Sequence, residues 1–137
     1  MSLEKSREEA QRWLDQARAD LRAAEASLAA GSFEWACFQA QQAGEKGAKA
    51  FWFYNGQDPW GHSITRLLQD YPEPVGQAFL LDFTQQAKAL DKLYIPTRYP
   101  NGLPGSIPAD VFTESEARAA IETARQFVDA LAEQMPG

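Results

Sequence analysis

Three groups of residues in this chain have the types and spacing that bind anions or move protons. In "QAQQAGEKGAKAF", Gln42, Glu45, Lys46 and Lys49 lie three or four positions apart, so one helix would carry them on a shared face. That face reads either as a solvated polar stripe with a Glu45–Lys49 pair or as amide and ammonium donors turned toward a pocket or a subunit interface. A second group is His62, with Ser63 beside it and Arg66 one helical turn later. A histidine at a helix start serves capping and packing as readily as chemistry, and it is retained as a candidate site residue. The third group is Asp91, Tyr94, Arg98 and Tyr99. In one reading an Arg98–Asp91 ion pair pins a loop over which Tyr99 packs. In the other, Arg98 is a planar, permanently charged fork for phosphate and Tyr99 a ring on which a base stacks.

Arg98 and Tyr99 sit between Pro96 and Pro100 in "LYIPTRYPNGLPGSIP", where an amphipathic pattern stops. Proline removes a backbone donor and disfavours helical geometry in the residue before it. The connection from Ile95 to Phe112 exceeds the roughly 12 to 15 residues beyond which structureless loops become uncommon in compact domains. Its prolines also restrict the unfolded chain. A long, stiffened loop is expected to be functional.

The elements that position these groups follow from the apolar periodicity. Ala10, Trp13, Leu14, Ala17, Leu21, Ala24 and Leu28 form one face of a first helix, ended by Gly31. Ser32 is placed to cap a second helix reaching about Tyr54, where "NGQDP" stops it. Its stripe of Ala36, Ala40, Ala43, Gly44, Gly47 and Ala50 is small enough for another backbone to come close. Each interior glycine costs about 1 kcal/mol relative to alanine, which close packing or a ligand would offset. A short helix is expected from about His62 to Asp70, then a long one through Phe79, Leu80, Phe83, Ala87, Leu90, Leu93 and Tyr94. A last helix starts at "TESE", where Thr113 and Glu116 have capping-box spacing, and buries Ala117, Ala120, Ile121, Ala124, Val128 and Leu131. The expectation is an all-α, antiparallel up-and-down bundle of four long helices plus one short helix, in a single domain over residues 1–137.

Composition narrows the function classes. With 137 residues, 45% hydrophobic and 23% charged, the chain has globular composition and room for one core. Its net charge of −6 repels phosphate backbones, and no segment is a basic arm, so nucleic-acid contact would need a local basic site. The run Phe51-Trp52-Phe53-Tyr54 is far short of the roughly 20 apolar residues of a membrane helix. No signal-peptide core opens the sequence, and a cytoplasmic location is expected. One cysteine, Cys37, precludes an internal disulfide, and one histidine leaves too few ligands for a Cys/His zinc cage. No metal and no cofactor are expected.

The sequence resembles the HEPN domain, the nucleotide-binding domain of higher eukaryotes and prokaryotes. The resemblance runs in order through "WLDQARADLRAAEASLAAGSFEWACFQAQQAGEKGAKAFWFYNG", "GHSITRLL", "LDKLYIPTRYP" and "FTESEARAAIETARQFVDAL". The run "QQAGEKGAKA" together with "RYP" after a Tyr-bearing helix carries it most specifically. It implies a bundle of four or five helices, homodimerisation, and a nucleotide- or RNA-associated role. It also implies a minimal nucleotidyltransferase as a partner on a separate polypeptide, in some members as a toxin–antitoxin pair. The positions shared with the family are Gln42, Glu45 and Lys46, His62, and Arg98, Tyr99 and Pro100.

Many HEPN proteins are metal-independent ribonucleases marked by an Arg four to six residues ahead of a His, an imidazole for the ribose proton and a guanidinium for the phosphorane. This chain departs from that mark: Asn55, Gly56 and Gln57 stand where the Arg would be, ahead of His62. The resulting expectation is a non-catalytic module, with no catalytic residue assigned, that binds a nucleotide or a nucleotide-bearing partner through Lys46, Arg98 and Tyr99 lining one hollow. A ribonuclease using His62 with Arg66 or Arg98 is the alternative. A third possibility is a partner that blocks or positions a nucleotidyltransferase without binding free ligand.

Overall fold

A computed structural model describes residues 2–137. The Ser2 side chain accepts from the Lys5 amide and starts α1 (Leu3–Ala29), about two turns ahead of the first apolar position that marks it in the sequence. At the other end, Gly31 takes a left-handed φ of +79°. The Ser32 amide returns to Ser27 O and the Gly31 amide to Leu28 O, a paired closure that satisfies the last carbonyls of α1. Ser32 therefore serves the end of α1 with its backbone. Its side chain does not cap α2 (Phe33–Tyr54), contrary to the expectation from sequence.

The remaining helices are α3 (Ile64–Gln69), α4 (Pro74–Leu81), α5 (Thr84–Asp91), α6 (Pro108–Val111) and α7 (Glu114–Glu133), with a 3-10 turn at Pro100–Gly102 and no strand among the described residues. Thr113 and Glu116 form the expected reciprocal cap at the start of α7. Helix α2 is central and packs against α1 and α7 along its length. Cross-helix pairs fix the directions. Arg18 meets Asp129 and Arg125 meets Glu25, so α7 runs antiparallel to α1. Phe51 lies against Phe79 and Phe38 against Tyr94, so the limb formed by α4 and α5 runs antiparallel to α2. The result is an up-and-down helical bundle.

The third limb differs from the expected single helix through Phe79–Tyr94. It is two helices joined at Asp82–Phe83. There the Phe83 amide bonds to Leu80 O, a tightened last turn, while the Thr84 hydroxyl takes Leu81 O. Phe83 turns inward between Phe79 and Phe127. The chain then leaves α5 at Asp91, before Pro96, through a series of tight turns. The Ile95–Phe112 connection, expected to lack secondary structure, holds the 3-10 turn and α6.

The small stripe of α2 is filled by protein. A Cβ on Gly44 would stand 2.8 Å from Leu90 Cδ1 and 3.0 Å from Ile64 Cδ1, and one on Gly47 would stand 3.2 Å from Leu131 and Val128. Close helix packing offsets the helix-propensity cost of these glycines. No helix is long and apolar enough to cross a membrane among the described residues.

Candidate functional site

Glu45 points from the middle of α2 toward the turn before α3. Its side chain is 5% exposed, and burying a carboxylate is costly unless donors surround it. Three do. Lys49 Nζ donates to Oε2 at 3.0 Å, Gln41 Nε2 to Oε1 at 3.3 Å, and His62 Nδ1 lies 3.2 Å from Oε2. The pair with Lys49 has the expected i,i+4 spacing, but it is buried, with the ammonium also 5.5 Å from the Trp13 ring centre. Because an ionised carboxylate only accepts, the Glu45 contact places the proton on His62 Nδ1 and leaves Nε2 as the free ring nitrogen. The His62 side chain remains 64% exposed.

Fully buried Gln41 closes the group from behind. Its amide also approaches His62 O at 3.5 Å, and its Oε1 accepts from Gln42 Nε2 at 2.7 Å. Gln42 thus belongs to this network through Gln41.

His62 stacks on Tyr94, with centroids 5.4 Å apart and planes 17° from parallel. The Arg98 guanidinium lies over the same Tyr94 ring at 4.6 Å, over Phe38 at 4.3 Å and by Tyr99 at 5.2 Å. Its Nε donates to Tyr94 O at 2.8 Å. Among the described residues no carboxylate pairs with Arg98 and neither Nη has an acceptor, although the residue is only partly exposed. Three rings hold a cation whose two outer amino groups are free. Tyr99 itself is 50% exposed.

The anticipated Arg98–Asp91 ion pair does not form. Asp91 instead accepts from Ile64 N at 2.8 Å, Thr65 N at 2.9 Å and Ser63 Oγ at 3.1 Å. A carboxylate at the amino end of α3 satisfies orphan amides there, and that role takes precedence over a guanidinium further along the chain. The residue capping α3 from within is Ser63, which accepts from the Arg66 amide, and His62 stands just outside the helix.

Two sequence-derived candidates lie elsewhere. Lys46 reaches across to α1 and pairs with Asp20 at 2.6 Å, beside a groove of Glu9, Arg12, Trp13, Asp15 and Gln16. It does not join Arg98 in one hollow, because α2 presents Lys46 to α1 and Glu45 to the α3 turn. Arg66 pairs with Asp70 on the exposed side of α3. Gln41 and Phe38 are the contributors that sequence reading missed. The signal for Gln41 was its position four residues before Glu45, on the same helix face.

Buried Cys37, on the preceding part of α2, is removed from this chemistry. Burial, reinforced by Glu116 and Glu34, pushes its thiol up to about 12. Among the described residues no three His, Cys, Asp or Glu side chains gather to hold a metal ion.

The family model described as HEPN domain matches residues 10–135. Among solved structures, TT1696 from Thermus thermophilus is 45% identical, with a TM-score of 0.84 over 90% of this chain and 96% of that one. ST0689, described as an archaeal HEPN homologue, is 33% identical, with a TM-score of 0.77 over 93% and 98%. A HEPN domain protein from Thermotoga maritima, tm0613, is 26% identical, with a TM-score of 0.66 over 90% and 96%. No curated protein matches. With the family model spanning nearly the whole bundle and a 33%-identical HEPN homologue superposing over almost its full length, the chain belongs to the HEPN domain family.

Proposed function

We propose that this chain is a non-catalytic HEPN module that binds a nucleotide, or a nucleotide-bearing partner, at the Arg98 cluster. The observation that carries the reading is the unpaired Arg98 guanidinium, held by Phe38, Tyr94 and Tyr99, with His62 stacked on the same Tyr94 ring. A guanidinium with free Nη groups suits phosphate, and the half-exposed Tyr99 ring suits a base. Calorimetric titration at low salt with nucleoside mono- and triphosphates and short RNA tests it. Binding that disappears in Arg98→Ala is expected, and absence of heat with every ligand would refute the site.

The proposed assembly is a homodimer working with a separate minimal nucleotidyltransferase chain, in a toxin–antitoxin type of arrangement. Family membership supports this, as do the exposed Trp35, Ile95 and Tyr99 around the cluster, apolar groups suited to a protein surface. Sedimentation of the purified protein and co-purification with a neighbouring nucleotidyltransferase test the two contacts. A monomer at micromolar concentration would count against the first.

One observation favours a second reading, metal-independent RNA cleavage. Glu45 lies against His62 Nδ1, and His62 and Arg98 both pack on the Tyr94 ring. The Arg66 version has no such support, since Arg66 is paired with Asp70. Cleavage of a fluorescent RNA in EDTA, lost in His62→Ala, would replace the non-catalytic reading.

A further inference from the structure

Resting on the nucleotide reading above, we infer that the Arg98 site selects a ligand presenting a single phosphate, a nucleoside monophosphate, over a nucleoside triphosphate offered without metal. The charges around the site carry the argument. Lys49 is neutralised by Glu45, Lys46 by Asp20 and Arg66 by Asp70. The Asp91 carboxylate is turned to the α3 amides. Of Lys46, Lys49, Arg66 and Arg98, Arg98 alone lacks a carboxylate partner among the described residues. Lys88 and Lys92 of the α5 limb are exposed and neither lies over the three rings that hold Arg98, and His62 adds at most one further charge, with Nδ1 already against Glu45.

One guanidinium with two free Nη groups matches one phosphate in a bidentate contact. A triphosphate brings several negative charges, and proteins meet these with successive backbone N–H groups, added cations or a metal ion. Within Pro96–Pro100, Thr97 alone keeps a backbone N–H without a backbone acceptor, which is too few for such a cradle. Pro96 and Pro100 have no N–H, and the amides of Arg98 and Tyr99 are both spent on Ile95 O. A net charge of −6 opposes each additional negative charge. Tyr99, half exposed at the rim, then supplies a stacking surface that inorganic phosphate cannot use.

The test is calorimetry on the full chain in EDTA at low salt, titrating AMP, GMP and UMP against ATP and GTP, with inorganic phosphate alongside. Monophosphates are expected to bind at least tenfold more tightly than triphosphates and more tightly than inorganic phosphate. Arg98→Ala should abolish that binding, Arg98→Lys should weaken it, and Lys5→Ala, an equal loss of charge on α1, should leave it unchanged. ATP binding as tightly as AMP overturns the selectivity while leaving the nucleotide site standing. Failure of every nucleotide to bind overturns the underlying reading as well.

Discussion

Glu45 Oε2 lies 3.2 Å from His62 Nδ1, although 17 positions separate the two residues and one is buried while the other faces solvent. The same oxygen receives Lys49 Nζ, so a core ion pair and an exposed imidazole share one acceptor. Orientation of the histidine is therefore coupled to the integrity of the helix interior.

The first expected outcome concerns that coupling. Glu45→Gln leaves the Lys49 ammonium buried without its anion, and removing one partner of a buried pair costs about 3 kcal/mol. Urea denaturation should show that loss, and adding Lys49→Met should recover most of it. If the single substitution leaves the midpoint unmoved, the pair is not buried in solution.

Asp91→Ala should release the start of α3. Three hydrogen bonds to Ile64, Thr65 and Ser63 are lost, and a cap of this kind is worth about 1–2 kcal/mol. Thermal unfolding measures the loss. Amide exchange should rise at Ile64 and Thr65 before it rises in α2, and uniform exchange would contradict the assignment.

The two glycines of α2 should respond differently to alanine. Gly44→Ala drives a Cβ to 2.8 Å from Leu90 in a filled core, so overpacking outweighs the propensity gain and stability falls by about 1 kcal/mol or more. Gly47→Ala meets Leu131 and Val128 at 3.2 Å, and its loss should be smaller. Chemical denaturation of both variants checks the order, and a larger loss at Gly47 would reverse the packing argument.

Alkaline stability should reflect Cys37 and Tyr71. Burial, then Glu116 and Glu34, raise the Cys37 thiol from 9.0 to about 12, and burial, then Glu73, raise the Tyr71 phenol above 10.0. The folded protein keeps protons that the unfolded chain gives up. This contribution to stability is whole below about pH 9 and is lost as pH climbs toward 12. Cys37→Ser should flatten the lower part of that decline, and a thiol reagent at pH 8 should label Cys37 only after unfolding. Rapid labelling of the native protein would contradict the buried thiol.

Local periodicity made α1, α2 and α7 legible, because each keeps one apolar face over many turns and α7 adds a capping box. The same periodicity concealed the break at Asp82–Phe83. Phe79, Leu80, Phe83, Ala87 and Leu90 keep helical spacing across it, and only the Thr84 hydroxyl bond to Leu81 O and the tightened turn separate α4 from α5. In the site, the Glu45–Lys49 spacing was readable but its burial was not, since it comes from the α3 turn and Trp13 closing over it. Asp91 was grouped with Arg98 by proximity in sequence. Its actual partners, 26 to 28 positions away, leave no local pattern.

Those three bonds from Asp91 have a mechanical result. The segment that delivers Arg98 leaves α5 at Asp91, and the segment that delivers His62 enters α3 at Ser63, so a single carboxylate rivets the two segments to each other. Displacing either segment therefore displaces the other, and the two are hinged as one plate.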